Sequence, residues 1–150
     1  MVKKCDSPLP NIESAQYFCE QHQHRFTTPR EKVLTVLMLS KHPLGAYEIK
    51  ERLSTSMHEV KPATIYRAIE FWEKHGFIHK VNSLNAYVAC HHEHRHHPAS
   101  YTLFICDSCD ESFELDTQKI VSTLKCELNR KNFSLASSST EIRGVCSSCH

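Results

Sequence analysis

The chain has 150 residues, of which 40% are hydrophobic and 23% charged, and its net charge is +1. That is globular composition, long enough for one domain or two small ones, and it excludes a disordered tail. No stretch approaches the roughly 20 apolar residues of a membrane span, and the opening MVKKCDSPLPNIES lacks a secretory apolar run, so a soluble cytoplasmic protein is expected.

The overall charge conceals a split: residues 1–80 carry 12 Lys+Arg against 9 Asp+Glu, and residues 81–150 carry 6 against 8. Such a difference is compatible with a nucleic-acid partner for the first half and equally with ordinary surface variation. In chain order, Asn11 is a good N-cap ahead of Ile12, Ala15, Phe18, Cys19 and His22, whose spacing predicts a helix to about residue 24. In TTPREKVLTVLMLS, Thr28 can cap, Pro29 suits the first helical position, and Glu31 completes a capping box before Val33, Leu34, Leu37 and Met38. HPLG makes a turn, and AYEIKERL follows as a short helix with Ala46, Ile49 and Leu53 on one face. KPATIYRAIEFWEKHG begins with a proline, keeps Ile65, Ala68, Ile69 and Trp72 in helical register, and stops at Gly76. Two short, closely spaced helices predict a helix-turn-helix.

After Gly76 the apolar period changes to two. FIHKV and AYVAC read as strands joined by NSLN, a hairpin that completes a winged helix over residues 1–90. Residues 91–100, HHEHRHHPAS, are too polar to build a core and read as a hinge. In residues 101–150, YTLFIC and SFEL are strands flanking CDSCD. Asp116 caps a helix with Ile120, Val121, Leu124 and Leu128 inward, and FSLASSSTEIRGVC returns as a strand. The predicted class is α+β, with a small α/β second domain that needs a metal, a partner subunit or both, because some fifty residues bury too little on their own.

The eight cysteines are Cys5, Cys19, Cys90, Cys106, Cys109, Cys126, Cys146 and Cys149. In a reducing compartment such clusters bind metal more often than they form disulfides. Cys106-x-x-Cys109 and Cys146-x-x-Cys149 are separated by 36 residues, and four soft thiolates on two tight turns suit tetrahedral zinc with no position left for catalysis. The closing CSSCH also matches covalent haem attachment, but the chain shows no export signal, and no βαβ pattern supports a thioredoxin-like dithiol. A second, mixed donor group comprises His79 and Cys90 in the wing strands, the hinge histidines and Glu114; a solvated histidine-rich linker is the plain alternative. Off the apolar face of PATIYRAIEFW lie Thr64, Tyr66 and Arg67, where a helix-turn-helix meets base edges and phosphates, with Tyr47 and Lys61 flanking the turn; ordinary surface residues are the alternative. No nucleophile elbow, HExxH helix or phosphate-binding glycine loop is present, so neither an enzyme nor a small-molecule substrate is expected.

These motifs together resemble the Fur family of metal-dependent repressors: Thr28, Pro29 and Arg30 at a helix start, TIYRAIEF over Thr64 to Phe71, the wing, the histidine-rich hinge and the paired CxxC motifs. Within it the chain is most similar to the zinc uptake regulators, through KPATIYRAIEFWEKHGFIHKV, NAYVAC and LFICDSC. The resemblance implies a homodimeric repressor of zinc-import genes that binds palindromic operator DNA when zinc-loaded. It implies a structural zinc on Cys106, Cys109, Cys146 and Cys149, and a regulatory zinc on His79, Cys90, Glu114 and a hinge histidine. That histidine is His96, with His97 or His94 as alternatives because the hinge differs in length; the implied DNA contacts are Tyr47 and Arg67. An iron- or peroxide-responsive member of the family, or a zinc store or chaperone, are the competing readings, and Cys90 favours zinc because thiolates prefer softer ions.

Overall fold

The computed structural model describes residues 11–54, 60–90, 101–135 and 139–150. The chain forms two compact units that divide within the 91–100 segment, which lies outside the described residues.

The N-terminal unit runs α1 (Ile12–Gln21), α2 (Thr28–Met38), α3 (Ala46–Ser54), α4 (Pro62–Lys74), β1 (Ile78–Val81) and β2 (Ala86–Ala89). Asn11 caps α1 by accepting the Ser14 N–H at 2.7 Å. The helix ends three residues before the predicted position. Gln23 takes a left-handed φ of 56°, and the Gln23 and His24 amides turn back onto the Glu20 and Cys19 carbonyls. This Schellman closure is made without glycine, so the sequence carries no ordinary stop signal there.

At α2 the cap is Thr27, not Thr28. Thr27 is extended (φ −98°, ψ 152°), Thr28 is already helical, Pro29 falls within the first turn, and no side-chain cap bond forms. A residue with helical dihedrals cannot fold its hydroxyl back over the first turn, so the predicted capping box is not made. At α3 half of such a box does form, Gly45 N–H donating to Glu48 Oε2 at 2.8 Å. Helix α4 closes on Gly76 (φ 74°), with Gly76 N–H on the Glu73 carbonyl and Phe77 N–H on the Trp72 carbonyl.

The strand pair follows the predicted hairpin, with Ile78 opposite Ala89 and Val81 opposite Ala86. The NSLN loop makes a 3₁₀ turn, and Asn85 takes the left-handed conformation (φ 47°) that asparagine tolerates. Leu44 and Tyr87 exchange backbone hydrogen bonds at 2.9 Å each way, tying the turn before α3 to the wing. Val33, Leu34, Leu37, Ile49, Leu53, Ile65, Ile69, Trp72 and Phe77 form the centre of the core. Trp72 is completely buried and satisfies its indole by donating to the Arg30 carbonyl at 2.8 Å, which joins α4 to α2.

The C-terminal unit contains β3 (Tyr101–Cys106), β4 (Ser112–Asp116), α5 (Gln118–Arg130) and β5 (Ser139–Gly144). The sheet order is β4-β3-β5, with β4 antiparallel and β5 parallel to the central strand. Two expectations need correction here. Asp116 is the last residue of β4, paired with Tyr101, and Thr117 takes the cap position of α5. The Thr117 hydroxyl does not cap; it hydrogen-bonds the Thr102 hydroxyl at 2.8 Å in a buried position. Of the α5 residues predicted to face inward, Val121 is buried, whereas Ile120 is 63% and Leu124 39% exposed, and Leu128 is half-buried. Among the described residues of the C-terminal unit, nothing buries Ile120 or Leu124. No helix among the described residues is long and apolar enough to cross a membrane.

Candidate metal centre and nucleic-acid interface

The parallel pairing of β3 and β5 builds the four-cysteine cluster. Cys106 ends β3 opposite Gly144 of β5, so both strands leave the sheet at the same end, and each is followed by a tight turn carrying a CxxC. In the first turn Asp110 N–H donates to the Cys106 carbonyl at 3.0 Å, with Asp110 in the left-handed region (φ 55°). In the second, Cys149 N–H donates to the Cys146 carbonyl at 3.0 Å. Two links hold the turns side by side: Asp107 N–H to the Gly144 carbonyl at 2.7 Å, and Arg143 Nε to Asp107 Oδ1 at 2.6 Å. Spacing along the chain gave no sign of the Arg143–Asp107 pair.

The sulfur atoms of Cys106, Cys109, Cys146 and Cys149 lie within 4.8 Å of one another. Cys109 Sγ and Cys146 Sγ are 3.8 Å apart. A tetrahedron with Zn–S bonds of about 2.3 Å has edges of about 3.8 Å, so that separation fits a zinc ion directly. The electrostatics agree. The Cys146 amide, donating at 3.4 Å, and then the Ser108 amide lower the Cys106 thiol to about 6, so this thiolate forms readily. Hydrogen bonds with the Cys146 and Cys109 sulfurs, then burial, push Cys149 up to about 12. One negative sulfur is supported by backbone N–H groups and further ones are resisted by their neighbours, a balance that a dication reverses. Four protein ligands would close the shell of a zinc ion held here, which would make it structural and not catalytic.

The wing carries a second donor pair. His79 lies opposite Val88, and Cys90, two residues further along, is its diagonal neighbour on the same face; the Cys90 amide donates to the Phe77 carbonyl at 2.9 Å. Both side chains are buried, and a His79 ring nitrogen lies within 4.8 Å of Cys90 Sγ. Glu114 sits in β4 of the other unit opposite Leu103, half-buried. His94, His96 and His97 lie outside the described residues.

Helix α4 packs Ile65, Ala68, Ile69 and Trp72 inward, which turns Tyr66 and Arg67 outward. Tyr66 is 52% exposed and Tyr47, in the first turn of α3, is 69% exposed. Lys61 is exposed at the α4 N-cap and Thr64 half-buried. Tyrosines left open to solvent on adjoining helices of a helix-turn-helix are suited to phosphate and base-edge contact.

The model of the ferric uptake regulator family matches residues 21–143. The chain belongs to this family. The zinc uptake regulation protein of Escherichia coli (strain K12) is 31% identical over 139 residues, spanning 92% of this chain and 80% of that protein. A solved structure of a zinc uptake regulator complexed with zinc and DNA is 30% identical, with a TM-score of 0.82 over 92% of this chain and 91% of that one. The ferric uptake regulation protein of Legionella pneumophila is 27% identical over 129 residues, spanning 83% of this chain and 90% of that protein.

Within this family member, one support of α4 was not visible in the sequence pattern. The Arg30 guanidinium lies 3.4 Å over the Phe71 ring and also donates to the Arg25 carbonyl, while the Arg30 carbonyl receives the Trp72 indole. Arg30 thus clasps α4 with both ends, and its place in the TPR motif has a mechanical reason.

Proposed function

We propose that this chain is a zinc-responsive repressor of zinc-uptake genes, acting in the cytoplasm as a zinc-loaded homodimer on palindromic operator DNA, and that it catalyses no reaction. The observation that carries the reading is the likeness, over nearly the whole of both chains, to a regulator solved with zinc and DNA, in a protein whose own four sulfurs are spaced for zinc. The iron-responsive reading is weaker, since the ferric relative is less similar and Cys90 is a soft donor.

The four cysteines hold the structural ion. For the regulatory ion we infer His79, Cys90, Glu114 and the hinge His96, with His97 or His94 as substitutes; support comes from the resemblance and from the buried His79–Cys90 pair. When bound, zinc would supply a cross-link between imidazole, thiolate and carboxylate donors. Residues 91–100 serve as the hinge between domains 1–90 and 101–150. The second domain provides the dimer contact, because Phe113, Leu115, Ile120, Leu124 and Ile142 are exposed in the single subunit and apolar. Tyr47, Lys61, Thr64, Tyr66 and Arg67 face the DNA. Two half-sites one turn apart, about 34 Å, are read together only if the spacing of the two α4 helices is held. Zinc and operator must then tighten each other's binding by the same factor.

The test is a titration of duplex DNA, selected from a random pool by the zinc-loaded protein, against buffered zinc, iron and manganese. Wild type should respond to zinc, Cys90→Ser should lose the response, and Arg67→Ala should keep its zinc but bind DNA more weakly by about 1–3 kcal/mol. An equal response to iron in wild type and Cys90→Ser would refute the zinc reading.

A further inference from the structure

The second CxxC turn reaches the first only if β5 pairs with β3 in one register, with Arg143 opposite Ile105 and Gly144 opposite Cys106. In the described sheet β5 is an edge strand. A slip of two residues would keep every side chain on its own face and let the backbone ladder re-form, yet it would carry Cys146 and Cys149 about 6–7 Å along the strand. That exceeds the edge of about 3.8 Å in a four-thiolate zinc tetrahedron. The sheet assembles the site only as far as its register is fixed.

Apolar burial does not fix it. β5 reads STEIRG over Ser139–Gly144; Ile142, its single large apolar side chain, is 42% exposed, and Val145 just beyond is 53% exposed. Register is weakly specified in such a strand. The contact that discriminates lies at its end, where Arg143 Nε donates to Asp107 Oδ1 at 2.6 Å, joining β5 to the residue after Cys106. The Asp107 amide, donating to the Gly144 carbonyl at 2.7 Å, aligns the same two segments. A two-residue slip in either direction puts Glu141 or Val145 in the place of Arg143, and neither side chain can donate a hydrogen bond to a carboxylate. Another specific link, the Cys146 amide on the Cys106 sulfur at 3.4 Å, belongs to the metal site itself.

We propose that Arg143 and Asp107 form the register lock of β5, a positioning pair outside the ligand set that keeps Cys146 and Cys149 beside Cys106 and Cys109 and so slows the loss of zinc. Zinc escapes when the edge strand opens or slips locally, and the pair must break first. The proposal rests on zinc at the four cysteines; it is independent of the sensed metal and of the operator.

The experiment uses the reduced, zinc-loaded, full-length protein. Transfer of zinc to an excess of a chromogenic chelator gives the release rate, and hydrogen exchange of the Asp107 amide, compared with amides of the β3–β4 ladder, reports opening of β5. The side chains of Arg143 and Asp107 are 39% and 50% exposed, so substitution leaves the core in place. Arg143→Gln should release zinc roughly five- to tenfold faster, the scale of a partly exposed charge-assisted hydrogen bond. Exchange at Asp107 should accelerate with it while the β3–β4 amides stay unchanged. Arg143→Glu and Asp107→Lys should each release zinc faster, and the two together should restore the wild-type rate. An effect of net charge on the thiolates would instead make Asp107→Lys slower than wild type, and that result would overturn the proposal. So would a double variant no better than its single parents, or unchanged release and exchange in Arg143→Gln. A wild type that holds no zinc at the cysteines would refute the zinc assignment, and the Asp107 exchange comparison would still decide the lock.

Discussion

Removing zinc from the four cysteines should unfold the C-terminal unit and leave the N-terminal unit standing. Among the described residues of the C-terminal unit, the buried aliphatic side chains are Leu103, Ile105 and Val121. At about 1.5–3 kcal/mol each they supply roughly 5–9 kcal/mol of burial. A structural zinc ion supplies about 10–16 kcal/mol near neutral pH in small zinc domains. The metal is the larger contribution, and the second subunit's apolar cover is available only to a folded sheet. The N-terminal unit depends on neither, since its core runs through Leu34, Leu37, Ile49, Ile65, Ile69, Trp72 and Phe77.

Cys109→Ser, stripped with a strong chelator under reducing conditions, is the perturbation. Zinc content is read by mass spectrometry, secondary structure by far-UV circular dichroism, and assembly by sedimentation. The chain has a single tryptophan, Trp72, buried in the N-terminal core, so its emission reports on that unit alone. The expected result is loss of zinc, loss of the sheet signal and dissociation to monomers, with blue-shifted Trp72 emission retained. A zinc-free variant that stays dimeric with its sheet intact would refute the reasoning, as would Trp72 emission that shifts in step with the dichroism.

Two further outcomes are expected in the N-terminal unit. Trp72→Phe leaves the Arg30 carbonyl without its indole partner and should cost about 1–3 kcal/mol in urea unfolding followed by circular dichroism; a loss below about 0.5 kcal/mol would mean the α2–α4 clasp contributes nothing. Gly76→Ala forces a side chain onto a φ of 74° and should cost about 1–2 kcal/mol, read from Trp72 emission in urea, whereas Gly76→Asn should cost less.

Local signals were legible wherever a single residue determines the outcome. Asn11 caps α1 through its own side chain, Gly76 ends α4 because its φ is positive, and the period-two stretches on either side of NSLN pair as a hairpin because the loop is short. Thr27 displaced Thr28 as the α2 cap, and Thr117 displaced Asp116 at α5, because boundaries depend on where neighbouring strands and turns release the chain. Ile120 and Leu124 have helical apolar spacing, which shows that they need cover but not whether the cover is the subunit's own sheet or a second copy. The stop at Gln21 carried no glycine, so it had no signature to read.

The sequence by itself determined the chemistry: four thiolates in two tight turns, an imidazole and a thiol on paired wing strands, and a helix, α4, whose apolar face dictates which side chains point outward. Tertiary structure decided convergence. The two CxxC turns meet only because β5 lies parallel beside β3, and α4 is held by Arg30 from a helix more than thirty residues earlier. Periodicity records which face of an element is buried, but the partner of that face is chosen by packing between segments far apart in the chain, and no local pattern encodes it.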